Sequence, residues 1–148
     1  MSDTVSLESP AVQSYLTILQ GVIGRVASNS ASAKTWCVTL VSAIVVVVAQ
    51  KDAPDPDILW ISLLPVALFF LLDAYYLGLE RQFRERYNDF IKKLHDGTAR
   101  VDDVFIVTPG AGLGKTLSEA VKACGSVSVW PFYSLLTIML LAVRTYVL

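Results

Sequence analysis

The fold class this sequence predicts is an all-α membrane protein: three transmembrane helices, an N-terminal amphipathic helix, and a small cytoplasmic segment with at most one short strand. Three observations predict it. The 148 residues are 54% hydrophobic and only 17% charged, too apolar for an ordinary soluble domain of this length. The apolar residues gather in three blocks, 35–50, 58–79 and 123–143, each near the roughly 17–25 residues a bilayer requires, the first at the short end. Between the second and third blocks lies a segment rich in Lys and Arg. The net charge of −1 points to no nucleic-acid partner by itself, so any basic patch must be local.

Residues 1–8 are polar and are expected to be disordered. Residues 9–30 read as an amphipathic helix, with Ser9 as its cap and Pro10 in the first turn. Val12, Tyr15, Leu16, Leu19, Val22, Ile23 and Val26 fall on one face, and Gln13, Thr17, Gln20 and Arg25 fall off it. One cation on the polar side favours packing against other helices over adsorption to a membrane surface.

Residues 31–79 hold the first two spans and a short outer loop, "KDAPDPD". The first block carries no charge and the second carries only Asp73. Trp36, Trp60, Tyr75, Tyr76, Trp130 and Tyr133 lie near block ends, where aromatic belts sit. A mostly polar stretch precedes the first block, so no cleaved signal peptide is expected. Arg81, Arg84, Arg86, Lys92, Lys93, Arg100, Lys115 and Lys122 follow the second block. The positive-inside rule puts them, and the N-terminus, in the cytoplasm, with the C-terminus outside.

Residues 80–122 form the cytoplasmic helix and sensor segment. Phe83, Tyr87, Phe90, Ile91 and Leu94 make an apolar stripe, and Glu80–Arg84 and Arg81–Glu85 have ion-pair spacing. Residues 104–107 are a candidate strand, followed by a glycine turn and a short helix. The turn, "TPGAGLGKT", resembles a phosphate-binding P-loop. Gly114, Lys115 and Thr116 fit that pattern, but Pro109 stands where its first glycine belongs. With no sheet to hold it, the turn predicts phosphate binding through backbone amides and Lys115 rather than hydrolysis. Residues 123–148 form the third span.

No catalytic constellation appears, so the protein is not expected to be an enzyme. His95 has no nucleophile beside it and no metal-ligand spacing around it. No cofactor is implied, and Cys37 and Cys124 are not expected to form a disulfide. Asp73 lies inside its span, where a charge is costly, with Lys34 and Arg25 as candidate partners. The pair either locks the spans together or belongs to an ion path. Thr35, Thr39 and Ser42 line one face of the first span, and Ser134, Thr137 and Arg144 a face of the third. Such residues make helix-packing contacts or, repeated around a symmetry axis, wet a pore. Arg144 either rings the outer mouth or snorkels to the headgroups.

The stretches "YLTILQGVIGRVASNSASAKTWCVTLVSAI" and "LLPVALFFLLDAYYLGLERQFRERYNDF" resemble a family of small bacterial three-span proteins. These are the membrane effectors of anti-phage systems, in particular the Hailong type. The resemblance covers residues 14–95, with the rest alike in layout. It implies a homotetrameric ion channel of abortive-infection defence, controlled by a short single-stranded oligonucleotide that a nucleotidyltransferase partner makes. A three-span subunit cannot enclose a pore alone, which agrees with an oligomer. In a ring, Arg81, Arg84, Lys92, Lys93, Arg100 and Lys115 converge, interleaved with aromatics that include Tyr87 and Phe105. That mixture suits phosphate contacts and base stacking. Two other readings stay open: a non-conducting scaffold docking a partner protein, and a holin-like membrane disruptor.

Overall fold

The computed structural model describes residues 4–50, 56–109 and 112–146. Most of the outer loop, residues 51–55, and Gly110 of the glycine turn lie outside the described residues. The fold is all-helical, with no strand among those described. Helix α1 is Pro10–Val48 and α2 is Leu63–His95, entered through a 3-10 turn at Pro56–Ser62. A second 3-10 turn, Val101–Asp103, leads to α3, Leu113–Cys124, and then α4, Trp130–Tyr146.

The amphipathic helix and the first span, separate by composition, are one helix of 39 residues. No proline interrupts residues 11–48, and the small residues between the two halves lower helix propensity without breaking it. Val12, Tyr15, Leu19, Val26, Ser30, Ala33, Cys37, Val41 and Val48 are buried along it, a single stripe at the spacing of one helix face. Ser9 is extended but makes no side-chain cap bond. Pro10, with its preset φ, starts the helix instead.

Helix α2 runs out of the apolar block into the charged one without a break, as its sequence predicts. It packs antiparallel to α1. Tyr15 meets Phe90 edge-on at 4.9 Å, and Lys34 meets Asp73 in the middle. Two cores result. At the charged end Val12, Tyr15, Leu19, Phe83, Phe90 and Leu94 cluster. At the apolar end Cys37, Val41, Val66, Tyr133, Leu136 and Leu140 do so.

Helix α3 lies along α2 at very close range. A Cβ on Gly78 would stand 2.7 Å from the Ala120 amide nitrogen, so only glycine permits this approach. The third apolar block is not one helix: α3 ends at Cys124 and α4 begins at Trp130. Gly125 closes α3, and the Ser126 carbonyl accepts from both the Val129 and Trp130 amides. Proline in the first turn of α4 then favours a fresh start over a continued helix.

The candidate strand at 104–107 is no strand: residues 104 and 105 make a turn, with Phe105 at φ +64°, and residues 106 and 107 are in no sheet. The isolated bridge is Thr4 with Arg100, beside a 3.1 Å bond from the Val5 amide to the Ala99 carbonyl. Thr4 and Val5, within the stretch expected to be disordered, are thus tied to the turn that follows α2.

Two helices, Pro10–Val48 and Leu59–His95 with its 3-10 entry, are long and apolar enough to cross a membrane. The apolar helix Trp130–Thr145 is shorter.

Candidate functional site at the charged end

Residues 82, 85, 86, 89, 90 and 93 recur along one face of α2. At the charged end that face opens into a cavity of about 250 Å³. Tyr15 of α1, Asp103 of the second 3-10 turn and Lys115 of α3 close its other sides. The charges on its wall balance: Arg86, Lys93 and Lys115 against Glu85, Asp89 and Asp103.

The charges are also paired. Lys93 Nζ meets Asp103 Oδ1 at 2.6 Å and Lys115 Nζ meets Glu85 Oε2 at 3.0 Å. The Arg86 guanidinium donates to the Thr108 carbonyl. The other Asp103 oxygen accepts from the Arg100 amide at 3.0 Å. Lys93 and that amide together hold the Asp103 carboxyl below its ordinary range.

The loop at the cavity rim is strained. Phe105 has φ +64°, a region in which an aromatic residue is a clear outlier. Its ring is 54% exposed and meets Tyr15 edge-on at 6.0 Å. The Tyr15 hydroxyl donates to the Ile106 carbonyl at 2.9 Å. With the Arg86 bond and the Lys93 pair, the loop is held on both sides of Phe105.

Of the residues the sequence nominated for oligonucleotide binding, the cavity gathers Lys93 and Lys115, with Phe105 at its rim. Arg81 instead donates to Ser126 Oγ at 3.0 Å. Arg84 pairs with Glu80 at 2.7 Å, as its spacing predicts. Arg81–Glu85, predicted by the same rule, does not form, because Glu85 holds Lys115. The Tyr87 hydroxyl accepts from Gln20 Nε2 at 3.1 Å. Lys92 and Arg100 are exposed. Tyr15, Gln82, Glu85, Arg86, Asp89 and Asp103 were not nominated. The recurrence of polar residues from Gln82 to Lys93 was the available signal.

Gly112 precedes α3, so Gly114, Lys115 and Thr116 sit in the first turns of a helix, as in a P-loop, but no strand leads into the turn among the described residues. Thr116 is buried, its hydroxyl 3.5 Å from Gln82 Oε1, and Lys115 is spent on Glu85.

Deeper along the bundle, Asp73 is fully buried. Lys34 Nζ lies 2.5 Å from its Oδ2, and Ser30 donates to its Oδ1. Arg25 is exposed and takes no part in this pair. It sits nine residues before Lys34, about 13 Å along the helix at 1.5 Å per residue. Ser30 occupies the place that sequence reasoning offered to Arg25.

Thr35, Thr39 and Ser42 are exposed on α1. The Thr35 and Thr39 hydroxyls donate one turn back, to the Ala31 carbonyl at 3.3 Å and the Thr35 carbonyl at 2.9 Å. Ser134 and Thr137 face an open apolar groove of about 570 Å³ between α2 and α4. Arg144 lies over the Trp60 ring, 4.6 Å from its centroid. This cation–π contact within the chain is a placement that neither sequence reading of Arg144 foresaw.

No protein-family model, curated protein or solved structure matches the chain.

Proposed function

We propose that this chain is one subunit of an oligomeric ion channel in a bacterial inner membrane. In this reading it is an effector of anti-phage defence, and its charged end binds a short single-stranded oligonucleotide. Three segments cross the membrane: the C-terminal half of α1, the N-terminal half of α2, and α4 with the end of α3. The charged end and the N-terminus are cytoplasmic, and the C-terminus is outside. Four copies surround the pore, and a nucleotidyltransferase makes the ligand.

The observation that carries the reading is the continuity of α1 and α2. Each runs unbroken from the charged cavity to the apolar core, so a displacement at one end reaches the other through rigid elements. The exterior of the apolar half supports the membrane assignment: Val46, Leu64, Leu68 and Leu135 are all more than 60% exposed. Large apolar surface of this kind needs lipid or protein to cover it. The strained Phe105, packed on the cavity-lining Tyr15, supports a ligand site at the other end.

Purified protein reconstituted into a planar bilayer should pass current, and a short oligonucleotide added to the side of the charged end should change it. Absence of current from intact oligomers, with and without oligonucleotide, would leave the non-conducting scaffold as the better reading.

A further inference from the structure

Three cations, Arg86, Lys93 and Lys115, line the cavity at the charged end, and each is already engaged. Lys93 and Lys115 are 50% and 44% exposed, Glu85 is 57% exposed and Asp103 25%. Pairs open to solvent in this way are weak and are readily exchanged. A terminal phosphate monoester carries about −1.5 to −2 charge and three acceptor oxygens, more than one carboxylate offers, and it binds a cluster of cations in preference to a single one. Arg86 stands on the same wall, one residue from Glu85, as a third cation.

We propose that this cavity takes a terminal phosphate monoester of the ligand and that Glu85 and Asp103 are tethered competitors for it, holding Lys115 and Lys93 until phosphate displaces them. The assignment rests on the oligonucleotide reading and adds to it a site and a mode of control.

The consequence is mechanical as well as chemical. Glu85–Lys115 joins α2 to α3, and Lys93–Asp103 joins α2 to the 3-10 turn. Each lysine that the phosphate takes releases the ionic tie it had made. The Gly78–Ala120 contact still keeps α3 on α2, and the Tyr15–Ile106 bond still keeps the loop in place. Ligand binding therefore loosens the ends of α3 and the loop without detaching either. Asp89, on the same wall, adds repulsion that any anion must overcome. The exposed Phe105 ring at the rim offers a face to the base next to that phosphate.

The test measures binding of a 5′-phosphorylated oligothymidylate, labelled with a fluorophore at its 3′ end, to the full chain in detergent, with oligomer size checked for every variant. Glu85→Gln and Asp103→Asn keep shape and remove the competing charge. Each should tighten binding by about 3- to 10-fold, the scale of an exposed ion pair plus one relieved repulsion. Lys93→Gln and Lys115→Gln should weaken it by a similar factor or more. Glu8→Gln, which removes an exposed carboxylate outside the cavity, should leave it unchanged. Inorganic pyrophosphate should compete with the oligonucleotide, and more effectively on the two carboxylate variants than on wild type. Wild type that binds, with Glu85→Gln and Asp103→Asn unchanged or weaker, overturns the tethered competitors and leaves the oligonucleotide reading standing. Failure of wild type and both carboxylate variants to bind oligonucleotides of any length overturns that reading itself.

Discussion

Asp73 is where one side chain has the largest energetic consequence. Its carboxylate is fully buried and meets one ammonium and one hydroxyl. Removing a single partner of such a pair strands a charge in a medium that cannot solvate it, at a cost of about 3–5 kcal/mol. Lys34→Met should therefore lower the unfolding temperature in detergent sharply. Lys34→Met with Asp73→Leu should recover most of the loss, because an apolar pair of similar volume replaces an ion pair at little net cost. A double variant as unstable as the single one would mean that Asp73 has some other indispensable partner. Ser30 and Lys34 are one helical turn apart on α1, and that spacing is why both reach the same carboxylate.

Among the elements, α3 depends on glycine more than on apolar area. It buries Thr116 and Ala123 toward α2 while Leu117 and Val121 stay exposed, at 62% and 72%. Its seat is the approach of the Ala120 backbone to Gly78. A side chain there must push the two backbones apart, because backbone atoms rather than a flexible side chain stand in the way. Gly78→Val should cost about 1–3 kcal/mol, the range for overpacking, and should move α3 off α2. Faster amide hydrogen exchange in residues 113–124, with α1 unchanged, is the expected signature. Uniform exchange across the chain would show that α3 does not depend on this contact. The same displacement parts Lys115 from Glu85, so Gly78→Val should also alter oligonucleotide affinity.

At the scale of the molecule, the chain has two cores joined by two long helices, and exposed apolar side chains surround one of them. A single subunit cannot enclose a conducting path, and Thr35, Thr39 and Ser42 on α1 lie on its outside. If copies assemble with these faces inward, those hydroxyls wet the pore. Mass measurement of the detergent-solubilised protein should give a tetramer. A strictly monomeric mass would remove the pore and, with it, the channel.

Periodicity in the sequence determined the buried face of α1 from Val12 to Val26, the passage of α2 from apolar to charged surroundings, and the pairing of Glu80 with Arg84. These are local matters: one helix's face follows from its own spacing. Composition shifts misled where they stood in for chain breaks. They divided α1, which is continuous, and merged the end of α3 with α4, which are separate. Only tertiary structure decided the rest. Spacing favoured Arg81 for Glu85, but Lys115 lies 30 residues away in sequence and took that carboxylate once α3 packed on α2. Arg25 yielded to Ser30 for the same reason: which side chain reaches Asp73 depends on the register of α1 against α2. The cavity joins α1, α2, a 3-10 turn and α3, and no window of sequence contains all four. Its charge balance, and therefore what it can bind, exists only once the helices have met.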